Sequence, residues 1–391
     1  LFPYTTLFRS IWAGPPGSIK IQNYGNGTTR SQFGAITAQP NDVLAGNFDE
    51  PGCANNLIVQ GVEFNRNSSN GLRIGDNCTV YQCTAYGHTV TGIGGDRNVG
   101  GLIHSCTLGA NGLDPATGVG SNGANIKITF HNGDEGRTSV VGVVRSKAQL
   151  TVANCTFTGT YAGVTGDTEI GLWFDLESKD VEVWDCTWTN HPWSGIILEG
   201  CNDILIKRGT ITNSDGYGAA NGEDFVAGAL TIAESNNVTV DGLTIVDSVR
   251  AVIIRQTNRS GDWFKPTPIP DDFVNVAWAA GPRYWITNTQ TPRPGVGSRS
   301  TMWTANVTCK NMVLTNCDKV QLSEGTNTGG TNAMTTSGSL PLTLLTFGPG
   351  NNYAGSTNLV NATSGGGFFD RSTTGLTLTA WKALPYTRDQ T

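Results

Sequence analysis

GLWFD (171–175), VEVWDCTWTN (181–190) and GIILE (195–199) follow one another with only short turns between them. Each run is short, rich in β-branched and aromatic residues, and bounded by Gly, Asn, Asp or Ser, which is the pattern of strands and turns rather than of helices. The same grammar recurs in both directions. LIVQGVEFN (57–65), TVYQCTAYG (79–87), LIHSCTLGA (102–110), LTVANCTFTG (150–159), ILIKRGTITN (204–213), VTVDGLTIVD (238–247) and VTCKNMVLTN (307–316) echo the middle run. GLRIG (71–75), NIKITF (125–130), GALTIA (228–233) and AVIIR (251–255) echo the two shorter ones. The shortest steps are 23 residues, from Cys83 to Cys106 and from Cys186 to Gly209. A period of this size built only of strands predicts a solenoid, because one unit cannot bury its apolar face until the next stacks on it.

Composition agrees. The 391 residues include 51 Gly, and only 14% are charged. Long helices need more Ala, Leu, Glu and Lys than this, so bundles and coiled coils are excluded. A hydrophobic content of 38%, arranged in evenly spaced runs, argues against disorder. The net charge of −6 and the lack of a basic stripe exclude a nucleic-acid partner. No apolar run reaches the length of a membrane span. The nine Cys are odd in number and none sits at CxxC spacing, so a zinc knuckle is not indicated.

Alternation assigns the faces. Val183, Cys186 and Trp188 fall on the same lines as Val152, Cys155 and Phe157, and as Ile206, Gly209 and Ile211. Coils stacked at about 4.8 Å turn these lines into interior ladders. Cys83, Cys106, Cys155 and Cys186 form one ladder, expected as buried free thiols. Asn190 and Asn213, closing two strands, suit left-handed turn positions stacked coil on coil. With these runs in place, the chain resembles right-handed parallel β-helix proteins of the pectate-lyase-like superfamily over roughly residues 55–325. The closing GGGFFDRSTTGLTLTAWKALPYTRDQ resembles the last coils of bacterial members. The resemblance implies an all-β solenoid of about eight to ten coils, secreted or held at the cell surface, acting on polysaccharide. Two activities of that superfamily lack their motifs here. The NTD, GHG and RIK signatures of polygalacturonases do not occur, and WFD (173–175) lacks the His of the pectate-lyase WxDH stretch.

The chain divides unevenly. LFPYTTLFRS (1–10) matches nothing downstream and resembles a translated sequencing adapter, so the natural start is expected upstream. Residues 11–55 are expected to form an amino-terminal cap and first coil. Residues 56–391 are expected to form the β-helix, with a long Pro- and Trp-bearing excursion at 256–303 and closing coils at 304–391.

Candidate chemistry lies on the outward positions of the shorter strands. With Leu172 and Phe174 inward, Trp173 and Asp175 face out; with Ile196 and Leu198 inward, Glu199 faces out. Asp175 and Glu199 are 24 residues apart, one repeat, so they should stack on adjacent rungs. Paired carboxylates repel, which favours keeping one protonated, and glycosidic-bond cleavage needs one acid beside one ionised carboxylate. Lys127 should point out one rung before Asp175, and Arg255 about two rungs after Glu199. Such cations suit neutralisation of an acidic sugar, by hydrolysis or by the elimination of a polysaccharide lyase. They equally suit a surface ion-pair ladder. Trp173 and Trp193 are expected as exposed indoles against sugar rings. His131 and His191 are expected in loops bordering the site. Short turns after 175 and 199, between long connections at 131–147 and 256–303, predict a groove for an oligosaccharide or polysaccharide. No metal-ligand motif is found. The acidic loops NGDEG (132–136) and NGED (221–224) offer oxygen ligands that suit Ca²⁺, without the EF-hand pattern. The competing reading is a non-catalytic carbohydrate-binding or surface-structural β-helix.

Overall fold

The computed structural model describes residues 57–65, 70–96, 98–112, 123–129, 131, 149–159, 169–175, 178–214, 228–256, 304–317, 319–324 and 345–355. It also describes short strands at 11–13, 19–22, 31–33, 277–278, 281–282, 285–287, 300–302, 369–371 and 374–376. All regular structure among them is β. An 18-stranded sheet collects the longer runs and a ten-stranded sheet collects the shorter ones. The chain passes from one to the other and back, pairing each strand with its counterpart one coil away. Lys179–Thr189, Asn202–Thr212 and Asn236–Val246 pair in parallel along their length. So do Ala124–Thr129, Ile170–Asp175, Ile196–Glu199, Leu230–Ala233 and Arg250–Gln256. This is a right-handed parallel β-helix, the hand that parallel crossovers take almost always. Antiparallel pairs occur at the margins, between Ile11–Ala13 and Ile19–Gln22 and between Phe369–Arg371 and Thr374–Leu376.

The interior is the predicted stack of ladders. Val152, Val183, Ile206 and Val240 lie in register, as do Phe157, Trp188, Ile211 and Ile245, and all are buried. The rings of Phe157 and Trp188 stack at 5.3 Å with planes 8° apart. The thiol ladder is present, with its members free and buried. Cys155 Sγ donates to the Ala153 carbonyl, and the Cys155 amide donates to Cys186 Sγ at 3.4 Å. Contacts with the Cys106 and Cys186 thiols, together with burial, hold the Cys155 thiol well above its usual pKa.

The corners use left-handed residues. Each long strand bends at one of them: Asn154 (φ 51°), Asp185 (φ 51°) and Arg208 (φ 53°) occupy equivalent places. A second column closes the coil with Asn190 (φ 61°), Asn213 (φ 50°), Asp247 (φ 52°) and Asn316 (φ 51°). Asn and Asp tolerate this region best among residues with a side chain. Their amides are laddered too: Asn213 Nδ2 donates to Asn190 Oδ1 at 2.8 Å and Asn316 Nδ2 to Asp247 Oδ1 at 2.6 Å.

Candidate active site

The predicted register holds. Asp175 pairs with Glu199 across adjacent strands of the ten-stranded sheet, on the face turned away from the interior. The column continues from Glu199 through Ala233 to Arg255, which places Arg255 two rungs beyond Glu199. Lys127 lies one rung before these strands but in the neighbouring column, paired with Trp173, while Thr129 occupies the place beside Asp175. Its long side chain bridges the two columns. Lys127 Nζ sits 3.3 Å from the Trp173 ring centroid and 3.9 Å from Asp175 Oδ2. A cation over an indole face and beside a carboxylate is attracted by both.

Trp173 and Trp193 also meet. With Ala124, Ile170 and Ile197 they form a buried apolar cluster separate from the main core. This corrects the expectation of exposed indoles, since Trp173 is 8% and Trp193 3% exposed. The carboxylates are equally withdrawn, Asp175 at 4% and Glu199 at 6%. Thr231, Ala233 and Ile253, outward on the following rungs, are fully buried. The face is therefore not an open groove at these rungs. At the Trp173 and Ile197 rungs the physical reason is the cluster itself: large apolar side chains on neighbouring rungs pack on one another and shed water, even on the outside of the coil. Trp184, outward on the other sheet without such neighbours, is 37% exposed. Of the two long connections expected as walls, only His131, Gln256 and the strands between 277 and 302 belong to the described residues.

The two histidines are a second correction. His191 follows the left-handed Asn190, which turns the next side chain into the corner of the coil. It is fully buried, with Nδ1 3.0 Å from the Glu169 carbonyl and Nε2 beside Gly171. A Cβ on Gly171 would stand 2.4 Å from Trp188 and 3.0 Å from that nitrogen, so the corner leaves no room for one. Burial lowers the His191 pKa to about 4. His88 occupies the corresponding corner against Gly71, and burial takes its pKa to about 4 as well. His131 sits at the opposite corner, fully buried, with its carbonyl accepting from the Lys179 amide at 2.9 Å. Neither His131 nor His191 is a solvated loop residue. Isolated histidines beside Asn and Gly carry no periodicity to show which corner they enter.

Cys201 belongs to no motif in the sequence. It lies at the turn after Glu199, in a column with Ser178 and Ser235, and its Sγ donates to the Phe174 carbonyl at 3.2 Å. Burial raises its thiol pKa well above the usual value, and the charges of Asp175 and Glu199 add to the rise. Both carboxylates thus act on one interior thiol just beneath them. The clue in the sequence was positional, a small residue immediately before each of the long strands that begin at Lys179, Asn202 and Asn236.

Among the described residues no group of three or more His, Cys, Asp or Glu side chains is placed to hold a metal ion. The acidic loops 132–136 and 221–224, expected as oxygen ligands for Ca²⁺, lie outside the described residues. No helix among them is long and apolar enough to cross a membrane.

No protein-family model matches the chain, and no curated protein sequence matches it. Solved structures with a similar course of the chain do exist. The A-module of the Azotobacter vinelandii mannuronan C-5 epimerase AlgE6 is 13% identical with a TM-score of 0.46, over 83% of this chain and 65% of the module. The A-module of AlgE4 from the same organism is 11% identical with a TM-score of 0.42, over 96% and 86% of the two chains. Pectate lyase Pel9A is 11% identical with a TM-score of 0.32, over 79% and 60%. The chain thus spans just under two thirds of the AlgE6 module and somewhat less of Pel9A. At these identities the likeness concerns the path of the backbone and not its chemistry.

Proposed function

We propose that this protein cleaves glycosidic bonds of an extracellular or cell-surface polysaccharide, with Asp175 and Glu199 as the reacting pair. The observation that supports the reading is their direct pairing on adjacent outward rungs, both nearly buried, next to Lys127 and the Trp173–Trp193 cluster. Adjacent rungs lie about 4.8 Å apart. That is closer to the roughly 5–5.5 Å carboxyl spacing of retaining glycosidases than to the roughly 6.5–9.5 Å needed to seat a water between inverting carboxylates. The Lys127 ammonium beside Asp175 favours an ionised carboxylate there, which suits a nucleophile or base. Glu199, paired with Asp175 on the adjacent rung, would act on the leaving oxygen. Lys127 and Arg255 would neutralise an acidic sugar, and the buried Trp173–Trp193 cluster would back the carboxylates and keep water from them. Trp173 Nε1 is buried and, among the described residues, has no hydrogen-bond partner, a feature shared by core Trp188.

A second reading is favoured by one observation. The outward rungs beyond Glu199 are as dry as the core, which suits a β-helix that binds carbohydrate elsewhere or serves as a surface structure. The separating experiment is release of reducing ends, and of 235-nm-absorbing unsaturated products, from a panel of neutral and acidic polysaccharides. Hydrolysis by the wild type that is lost in Glu199→Gln with retention on the same glycan intact supports the carboxylate pair. Full activity in Glu199→Gln removes the pair. An absorbance rise would replace hydrolysis by elimination. Retention without any release would establish the binding reading.

A further inference from the structure

The long strands present a different outward surface from the short ones. Thr156 and Thr158, Thr187 and Thr189, and Thr210 and Thr212 occupy identical outward places on three successive rungs. The first column continues to Thr107 on one side and Thr244 on the other. Between the two columns the alternate residues Phe157, Trp188 and Ile211 point inward and are buried. The result is a lattice of hydroxyl and methyl groups, about 4.8 Å apart along the solenoid and about 6.6 Å apart along each strand.

Four observations say what such a lattice fits. The six central positions carry no charge and no aromatic ring. Thr156 and Thr187 are exposed and the other four half-buried. None of the six hydroxyls hydrogen-bonds to another group of the described protein, and a Thr hydroxyl left by its own chain must find an external partner. The lattice is also stiff: the rungs pair without a bulge from 179 to 246, the Asn190–Asn213 amide ladder flanks one edge, and the stacked rings of Phe157 and Trp188 support it from beneath. A protein or charged polymer would need complementary charge or an apolar anchor, and the six positions offer neither, the exposed Asp185–Arg208 pair and Trp184 lying at the adjoining bend. A sugar polymer would be expected to meet several aromatic rings, and the lattice has one at its margin, Tyr86, where the second column runs on past Gly109. A surface that is neutral, rigid and periodic, made of hydroxyls and small apolar groups, matches a partner that is itself a rigid, neutral, periodic array of hydrogen-bonding oxygens. Oxygen rows on the surfaces of hexagonal ice repeat close to the rung spacing. Many weak contacts then add because they are pre-aligned and no entropy is spent ordering either side.

We propose that the Thr lattice centred on Thr187 is an ice-binding surface, independent of the Asp175–Glu199 site. The test is partition of the purified full chain into a slowly grown ice hemisphere, compared with serum albumin. Enrichment in ice is expected for the wild type and for Glu199→Gln. Thr187→Lys, at an exposed position, should fall to the albumin level with an unchanged melting curve. Thr187→Val, which keeps the shape but removes the hydroxyl, should lose part of the enrichment, and Thr187→Ser, which keeps the hydroxyl, should lose less. Thr239→Lys, outward on the neighbouring strand segment but off the lattice, should retain all of it. Exclusion of the wild type from ice overturns the proposal, as does enrichment unaffected by Thr187→Lys. Retention on microcrystalline cellulose that is lost in Thr187→Lys, without ice enrichment, would assign the lattice to a crystalline polysaccharide instead. A concentration-dependent dimer lost in the same variant, again without ice enrichment, would assign it to a second copy of this chain.

Discussion

Two outward faces of one solenoid differ as sharply as core and surface. On Ile170–Asp175, Ile196–Glu199 and Leu230–Ala233 the side chains turned away from the interior are buried, including two carboxylates and Trp173. On the Thr-x-Thr segments 156–158, 187–189 and 210–212 the equivalent side chains are exposed or half-buried. Strand alternation treats the two faces alike. Tryptophan and isoleucine on adjacent rungs screen each other at Trp173 and Ile197, but Thr231 and Ala233 on the next rung are small and equally buried, so residue size alone does not separate the faces. Direction of a side chain and its access to water are therefore separate properties, and a functional site needs the second as well as the first.

The largest expected effect tests the buried face. Replacing Glu199 by Gln, or Asp175 by Asn, should lower kcat by about 10²–10⁴-fold, the usual worth of a general acid or base. The substitution should leave melting nearly unchanged because the shape is kept. A variant that melts early but cleaves at the wild-type rate would make the pair structural.

Next comes the contrast between the two tryptophans. Trp188→Ala empties a fully buried interior position stacked on Phe157 and should cost about 3–5 kcal/mol by denaturant unfolding. Trp173→Ala, in a cluster of only five residues outside the coil, should cost clearly less. Equal losses would mean that the outer cluster is a second core and not a ligand platform.

The corner histidines predict a pH dependence. His191 is held near pKa 4 when folded, below its ordinary value near 6.5, so the unfolded chain takes up its proton first. Its contribution is complete above about pH 6.5 and is lost as pH falls towards 4, with a swing of about 3 kcal/mol. His88 acts in the same direction. In His191→Asn, which copies the Asn111 found at an equivalent corner, the decline in melting temperature between pH 7 and 4 should be shallower. An unchanged slope would mean that the carboxylates, not the corner, set it.

The smallest effect concerns the turns. Asn213→Ala removes the bond to Asn190 and places a Cβ at φ 50° without a compensating amide. It should cost about 1–2 kcal/mol by urea titration. A loss below the error of the titration would show that coil stacking holds the corner without the ladder.

Much of this molecule was legible in one dimension. A repeat of 23 or 24 residues, with alternation inside each run, is enough to give the solenoid, its inward ladders of Val, Ile, Phe, Trp and Cys, the left-handed Asn corners and the register of Asp175 with Glu199. These follow because a parallel coil makes sequence period and spatial neighbourhood the same thing. The burial of Trp173, Trp193 and both carboxylates was not legible, nor was the entry of His131 and His191 into the corners. The reach of Lys127 across two columns to Asp175 was hidden as well. Those depend on what packs over a face and on how one left-handed residue swings the next side chain, and both are settled by contacts among residues distant in the chain rather than by any local pattern.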